Sequence, residues 1–130
     1  MKIEISMLDG QQLKASFGDH EILSDQIIDA GGKGEYPEPL DYFLASMPLC
    51  AAFYIRKFCQ SRDISTDGIN ISQENVNIDE NDKYKKKLVL NIELPDSFPK
   101  KYQKALLAAA NTCTVKRVIQ AAPEFEVNLV

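Results

Sequence analysis

The feature that most constrains this 130-residue chain is a long helix that the sequence predicts to be apolar on every side. Pro37 and Pro39 stand where the helix would begin, because proline is favoured in a first helical turn. One apolar set recurs at helical spacing: Leu40, Phe43, Leu44, Met47, Ala51, Tyr54, Ile55 and Phe58. The opposite side is apolar as well. Such a helix is buried on all sides. We expect a second subunit to cover part of it, because the helices and strands of one chain of this length are too few to cover every side.

Short strands are predicted on both sides of this helix. Alternating apolar residues indicate two N-terminal strands joined by a hairpin turn at Asp9-Gly10, and a third short strand is expected to include Ile22 and Leu23. Two further strands follow the helix, then two short helices, and residues 125–129 alternate in the manner of a last strand. We expect one α+β domain over residues 1–130, with helices gathered on antiparallel sheets.

Composition and charge exclude several classes of protein. Apolar residues make up 45% of the chain and charged residues 26%, which is typical of a globular domain with a real core. The net charge of −4 argues against a nucleic-acid partner. No apolar stretch reaches the roughly 20 residues that a bilayer requires, and residues 1–5 do not resemble a signal peptide. We therefore predict a cytoplasmic protein without a membrane partner.

The three cysteines carry the chemistry that the sequence offers. With a single histidine beside them, their spacing does not form a metal-ligand pattern, so we predict neither a metal nor another cofactor. Structural disulfides are rare in a reducing compartment. Each cysteine is therefore either an inert core residue or a reactive thiol.

Cys50 lies in the middle of the apolar helix, where free cysteine often packs as a small hydrophobic residue. Pro48 favours another interpretation, because proline inside a helix can break it. If the helix restarts at Pro48, Cys50 lies in its first turn, where free N–H groups favour the thiolate.

Cys113 stands at the start of a predicted short helix, with Lys116 and Arg117 three and four residues on. A helix N-terminus and two cations would lower the pKa of its thiol, although both cations could equally point to water. Cys59 would lie about 13 Å from Cys50 on an unbroken helix and on its opposite face, too far for a disulfide. We take Cys59 to be a bystander.

The residues around both remaining cysteines match a known family. The segment 39–50, PLDYFLASMPLC, resembles the motif that opens the central helix of the OsmC-like and organic hydroperoxide resistance proteins. The later segments 67–69, 94–99 and 109–115 are also similar to the family. The resemblance covers residues 36–119 well, and the N-terminal strands by their order only.

This resemblance implies an intertwined homodimer, in which antiparallel sheets from both chains wrap around a central buried helix from each. It also implies a thiol peroxidase. Cys50 would attack a hydroperoxide and become a sulfenic acid, and Cys113 would condense with it to a disulfide. A dithiol reductant, in some members a lipoylated protein, would then restore the pair. Phe43, Met47 and Tyr54 would line a pocket for an organic peroxide.

The chain departs from the family at several positions, among them Pro48, Leu49 and Thr114, and most importantly at an arginine that supports the reactive thiolate. Active members place an arginine from the N-terminal half beside the reactive thiolate, whereas the first arginine here is Arg56. Lys14 or Lys33 could supply a charge, without the planar fork of arginine. In the family, a glutamate shortly before the first cysteine positions that arginine. Asp41 or Glu38 would be its nearest counterpart here.

Two alternatives to the peroxidase remain open at this stage. The first is a binding or carrier protein with the same dimeric fold, weakly active or inactive towards peroxides, that holds a small thiol or acyl group on a cysteine. The second is an inert protein with a structural role.

Overall fold

The computed structural model describes residues 1–129, which form two compact units divided between Ala45 and Ser46. Three strands come first: β1 (Glu4–Met7), β2 (Leu13–Phe17) and β3 (His20–Ser24). The long helix α1 (Pro39–Gln60) follows, and then β4 (Asn70–Asn77), β5 (Lys86–Glu93), α2 (Gln103–Ala110) and α3 (Thr114–Gln120). This mixed α+β architecture with antiparallel strands is the one predicted. The assignment of a single domain remains a prediction.

The first unit is built around an antiparallel sheet in the order β1-β2-β3. Gly10 has a φ of 60°, a left-handed conformation that suits glycine and makes the predicted hairpin turn possible. After β3, the fully buried Asp25 organises the loop that leads to α1. Its carboxylate accepts hydrogen bonds from the backbone N–H groups of Gln26, Lys33 and Glu35, and these bonds outweigh burial and lower its pKa.

Helix α1 is continuous, so the prediction that it restarts at Pro48 is wrong. Proline removes one backbone donor, but the helical bonds on either side of it persist. One face of the helix is also held by buried side chains, among them Ala51 and Ile55. Cys50 therefore lies in the interior of α1 and not in a first turn, which removes the mechanism first suggested for its ionisation.

The second unit has its own apolar core, to which α1, α2 and the 94–98 turn contribute. Its buried members are Ile55, Phe58, Cys59, Phe98, Leu106 and Ala110. Strands β4 and β5 pair antiparallel from Asn70↔Glu93 to Asn77↔Lys86. Ile71 and Ile92, which face each other in this ladder, pack against the core. The core thus fixes the C-terminal half of α1 relative to the hairpin and α2.

The predicted last strand does not form, since residues 123–129 pair with no other strand in the described part of the chain. A strand needs a neighbouring edge to complete its backbone hydrogen bonds. Phe125 and Val127 are 92% and 97% exposed. Of the helices that the structure describes, none is long and apolar enough to cross a membrane.

Candidate active site

Cys50 and Cys113 lie together in the second unit. Cys50, on α1, is half-buried, and Cys113, immediately before α3, is 1% exposed. Both are free thiols, and their side chains are hydrogen-bonded to each other. The Cys113 thiol also lies 3.7 Å from the Met47 carbonyl oxygen, so its single proton has two acceptors available on α1. The fold thus brings two distant cysteines into direct contact.

The environment of Cys50 favours its thiolate. Burial opposes ionisation, but hydrogen bonds from the backbone N–H of Val115, the Cys113 thiol and the backbone N–H of Thr114 outweigh it, and the pKa of Cys50 is lowered. The predicted direction is therefore right and the predicted cause is wrong. The donors come from the first turn of α3, whose free N–H groups point at a cysteine of another helix.

The environment of Cys113 has the opposite effect. Burial raises the pKa of its thiol, and the neighbouring Cys50 raises it further, against the hydrogen bonds from the backbone N–H groups of Lys116 and Val115. Of the two interpretations left open for Cys113, the raised pKa therefore does not support activation by the helix start and by Lys116 and Arg117. Cys113 instead caps α3, with its Sγ accepting from the Lys116 N–H at 3.4 Å. The Lys116 ammonium turns to Asn111 Oδ1, 2.8 Å away.

These opposite shifts give the two thiols different properties. The pKa of Cys50 is lowered and that of Cys113 is raised, so Cys50 is the first of the two to ionise as the pH rises. Cys59 is fully buried in the core, and burial raises the pKa of its thiol. Its interpretation as a bystander agrees with this position.

A cavity of about 290 Å³ adjoins Cys113 in the second unit. Its lining is largely apolar, with Met47 and Ala51 from α1, residues 88–90 from β5 and Ala110 from α2. The side chains of Lys87 and Lys116 contribute the positive charge at this cavity. The sequence identified Met47 as a pocket residue but gave no signal for Lys87, because only the packing of β5 brings it here.

The other candidates from the sequence lie elsewhere or act locally. Asp41 Oδ2 accepts from the Glu38 backbone N–H at 2.9 Å, the contact by which a third-position side chain caps a helix start. Lys14 and Lys33 are paired with Glu21 and Asp9 at 2.8 and 3.3 Å. All of these residues belong to the first unit, and their roles at the thiol remain predictions.

Two of the predicted pocket residues are found in different settings. Tyr54, one turn after Cys50 on α1, has its hydroxyl 2.9 Å from Thr114 Oγ1. Phe43 belongs to the part of α1 in the first unit, where it is 47% exposed. Thr114 and Val115 are the residues that sequence reasoning missed as hydrogen-bond donors. The helix start itself was predicted, but not the side chain that it faces.

Comparison with known proteins identifies the family. A model of the OsmC-like protein family matches residues 32–128, and the chain belongs to this family. An osmotic stress induced and detoxification response protein from Psychrobacter arcticus has the same fold, with a TM-score of 0.72, 20% identity, and coverage of 91% of this chain and 87% of that one.

A second solved structure has a similar fold. It is an organic hydroperoxide resistance protein OsmC from Legionella pneumophila, with a TM-score of 0.55, 18% identity, and coverage of 92% of this chain and 90% of that one. No curated protein matches the chain significantly. The predicted family and the predicted OsmC-like α+β fold are confirmed, whereas the intertwined homodimer remains a prediction.

Proposed function

We propose that this protein is a thiol peroxidase that reduces hydroperoxides, organic or inorganic, through Cys50 and Cys113. The observation that carries the proposal is the contact between the two thiols, with the pKa of one lowered and that of the other raised. A peroxidase of this type needs a thiolate to attack and a second thiol within bonding reach. Membership of the OsmC-like family adds independent support.

The first chemical step takes place at Cys50. Its thiolate attacks one peroxide oxygen, the O–O bond breaks, and the leaving alkoxide takes a proton and departs as an alcohol. Cys50 becomes a sulfenic acid. The N–H groups of Thr114 and Val115 stabilise the thiolate before the attack. No cation contributes to the lowered pKa of Cys50 in the part of the chain that the structure describes.

The second step joins the two cysteines. The Cys113 sulfur attacks the sulfenic sulfur, a disulfide forms, and the oxygen leaves as water with the thiol proton. A dithiol reductant, free or carried by a lipoylated protein, then exchanges with this disulfide, returns both cysteines to thiols and is itself oxidised. Two electrons thus pass from the dithiol to the peroxide in each cycle.

We also propose that the working form is a homodimer in the cytoplasm. On the second unit, α1, α2 and α3 leave large apolar side chains in water: Leu49, Phe53, Leu107 and Val118 are each more than half exposed. Exposed apolar surface of this kind indicates a covering partner. Residues 123–129, which pair with no strand of the described chain, offer unpaired backbone to the same partner. Free cysteines agree with a reducing compartment.

The test of the function is a turnover assay with cumene hydroperoxide and dithiothreitol or dihydrolipoamide as reductant. Wild type should consume peroxide catalytically, Cys50→Ser should be inactive, and Cys59→Ala should retain activity. After mild peroxide without reductant, the intact mass of wild type should fall by two hydrogens, whereas Cys113→Ser should gain oxygen. Wild-type consumption no faster than that of Cys50→Ser would overturn the proposal.

A carrier function is the second candidate, because an apolar cavity of about 290 Å³ adjoins a thiol. In that case the wild-type protein would fail the turnover assay. A small thiol or acyl group would be found attached to Cys113 or Cys50 in the intact mass of the purified protein.

A further inference from the structure

The first turn of α3 is the part of the candidate site that most needs support. Helix α3 has only seven residues, and none of them is buried. Its N-cap is Cys113, whose sulfur accepts at 3.4 Å, where Ser, Thr, Asp or Asn would normally provide a strong oxygen acceptor. Sulfur is a weak acceptor. The helix start that faces Cys50 therefore has a weak cap of its own.

A second contact joins this turn to α1. The Tyr54 hydroxyl lies 2.9 Å from Thr114 Oγ1, within hydrogen-bond distance. Cys50 and Tyr54 are four residues apart on one helix and therefore share a face. Thr114 thus meets this face twice, with its N–H at the Cys50 sulfur and with its hydroxyl at Tyr54.

We infer that Tyr54 is a positioning residue, which holds the first turn of α3 by its hydrogen bond to Thr114 so that the N–H groups of Thr114 and Val115 stay directed at Cys50. Tyr54 does not touch the reacting atoms. Its phenol ring packs edge-on against Phe53, with the two ring centroids 5.4 Å apart. This role rests on the activation of Cys50, which the proposed function uses, but it does not require peroxide turnover.

The same contact would matter more once Cys113 is oxidised. In a Cys50–Cys113 disulfide the Cys113 sulfur is bonded covalently to Cys50. The covalent bond restricts the position of this sulfur, so its weak hydrogen bond from the Lys116 N–H can no longer be relied on to cap α3. The Tyr54–Thr114 bond involves neither sulfur. It can therefore keep the helix start in place through both redox states, so that the donors are ready when Cys50 is released as a thiolate.

The test measures the ionisation of Cys50 by alkylation with iodoacetamide over a pH series, followed by mass mapping of each cysteine peptide. In Tyr54→Phe the Cys50 midpoint should move to higher pH, and its alkylation rate near pH 7 should fall about 2- to 10-fold, the effect of losing one hydrogen bond. Thr114→Val should produce the same change, and Thr114→Ser, which keeps the hydroxyl, should resemble wild type. The double variant should be no worse than either single one.

The matched control is Tyr84→Phe, which removes the same atom from a tyrosine that is 81% exposed. It should leave the Cys50 profile unchanged. The titratable side chain that faces Cys50 in the described part of the chain is that of Cys113, so its profile is read in the same samples. An unchanged Cys50 midpoint in Tyr54→Phe overturns the inference. So does a parallel loss of thermal stability with faster alkylation of Cys59, which would indicate general loosening.

This experiment separates the inference from the proposed function. A protein that shows the Cys50 shift but consumes no peroxide would support Tyr54 as a positioning residue and would refute the peroxidase. A protein that consumes peroxide equally well with Tyr54→Phe, at an unchanged Cys50 midpoint, would refute the positioning role alone.

Discussion

The backbone N–H of Val115 donates a hydrogen bond to the thiol of Cys50, so that the start of α3 acts on a side chain in the interior of α1. This relationship explains how a cysteine in mid-helix can be activated. Backbone N–H groups within α1 are already used by its own helical bonds. The donors that favour the thiolate therefore have to come from another helix start.

The opposite pKa shifts predict an order of reaction with iodoacetamide. Cys50 should be alkylated with a midpoint below the ordinary thiol value of about 8.5, and Cys113 and Cys59 with midpoints above it. In Cys50→Ser the Cys113 midpoint should fall, because the ionised Cys50 no longer raises it. Peptide mass mapping reads each site separately. A Cys50 midpoint above that of Cys113 contradicts the assignment of the attacking thiol.

Raised thiol pKa values also predict a loss of stability in alkali. Above about pH 8.5 the unfolded chain loses the protons of Cys59 and Cys113 while the folded chain keeps them, so the unfolding free energy falls as pH rises towards the folded pKa values. Each thiol can contribute at most about 1.4 kcal/mol per pH unit. Cys50 has the opposite sign, because its lowered pKa adds stability as pH rises up to about 8.5.

Urea unfolding of wild type and Cys59→Ala at pH 7.5 and 9.5 checks this prediction. The difference between the two proteins isolates Cys59, because the other titrating groups are common to both. The variant should be less stable at both pH values and should lose less stability between them. An equal alkaline loss in both proteins would rule out Cys59 as a contributor.

The exposed apolar face predicts a dimer that a single charge can break. Phe53 on α1 is 58% exposed, and a carboxylate placed there would be buried without a partner in an interface. Phe53→Glu should weaken dimerisation at least about 100-fold. Light scattering should give twice the chain mass for wild type and the chain mass for the variant.

Gln60→Glu provides the control for charge alone, since Gln60 lies at the exposed end of the same helix. It should remain dimeric. A monomeric wild-type protein, or a Phe53→Glu variant that stays dimeric, would show that this face is not the interface.

The loop around the buried Asp25 in the first unit predicts a strong effect at Gly32. A Cβ added there would lie 1.9 Å from the Gln26 carbonyl oxygen and 2.8 Å from Asp25 Oδ1, and both atoms are held by the loop. Gly32→Ala should lower the unfolding free energy by about 3 kcal/mol or more.

Gly34→Ala is the comparison for this loop. Gly34 has a φ of 66° with open space around its Cβ position, so that substitution should cost only about 1 kcal/mol of backbone strain. Thermal unfolding of both variants gives the difference. Equal effects would mean that the close approach at Gly32 is not what restricts the loop.

The local pattern of the sequence was enough for most of the fold. The local apolar pattern predicted the five strands β1 to β5, and the apolar spacing predicted α1. These elements depend on residues a few positions apart, and local spacing contains that information. Residues 123–129 fail as a strand for the same reason, because pairing depends on a distant edge.

For the candidate site, the sequence by itself determined which residues can react, whereas the tertiary structure decided what each of them does. Residue types and their spacing were enough to predict the cysteine chemistry, the family motif and the helix start at Cys113. Which thiol is activated could not be predicted from them, because a pKa depends on burial and on donors that only folding brings within reach. The sequence left open whether the start of α3 activates Cys113. After folding, N–H groups of this start reach the Cys50 sulfur as well as Cys113, and burial raises the pKa of the Cys113 thiol.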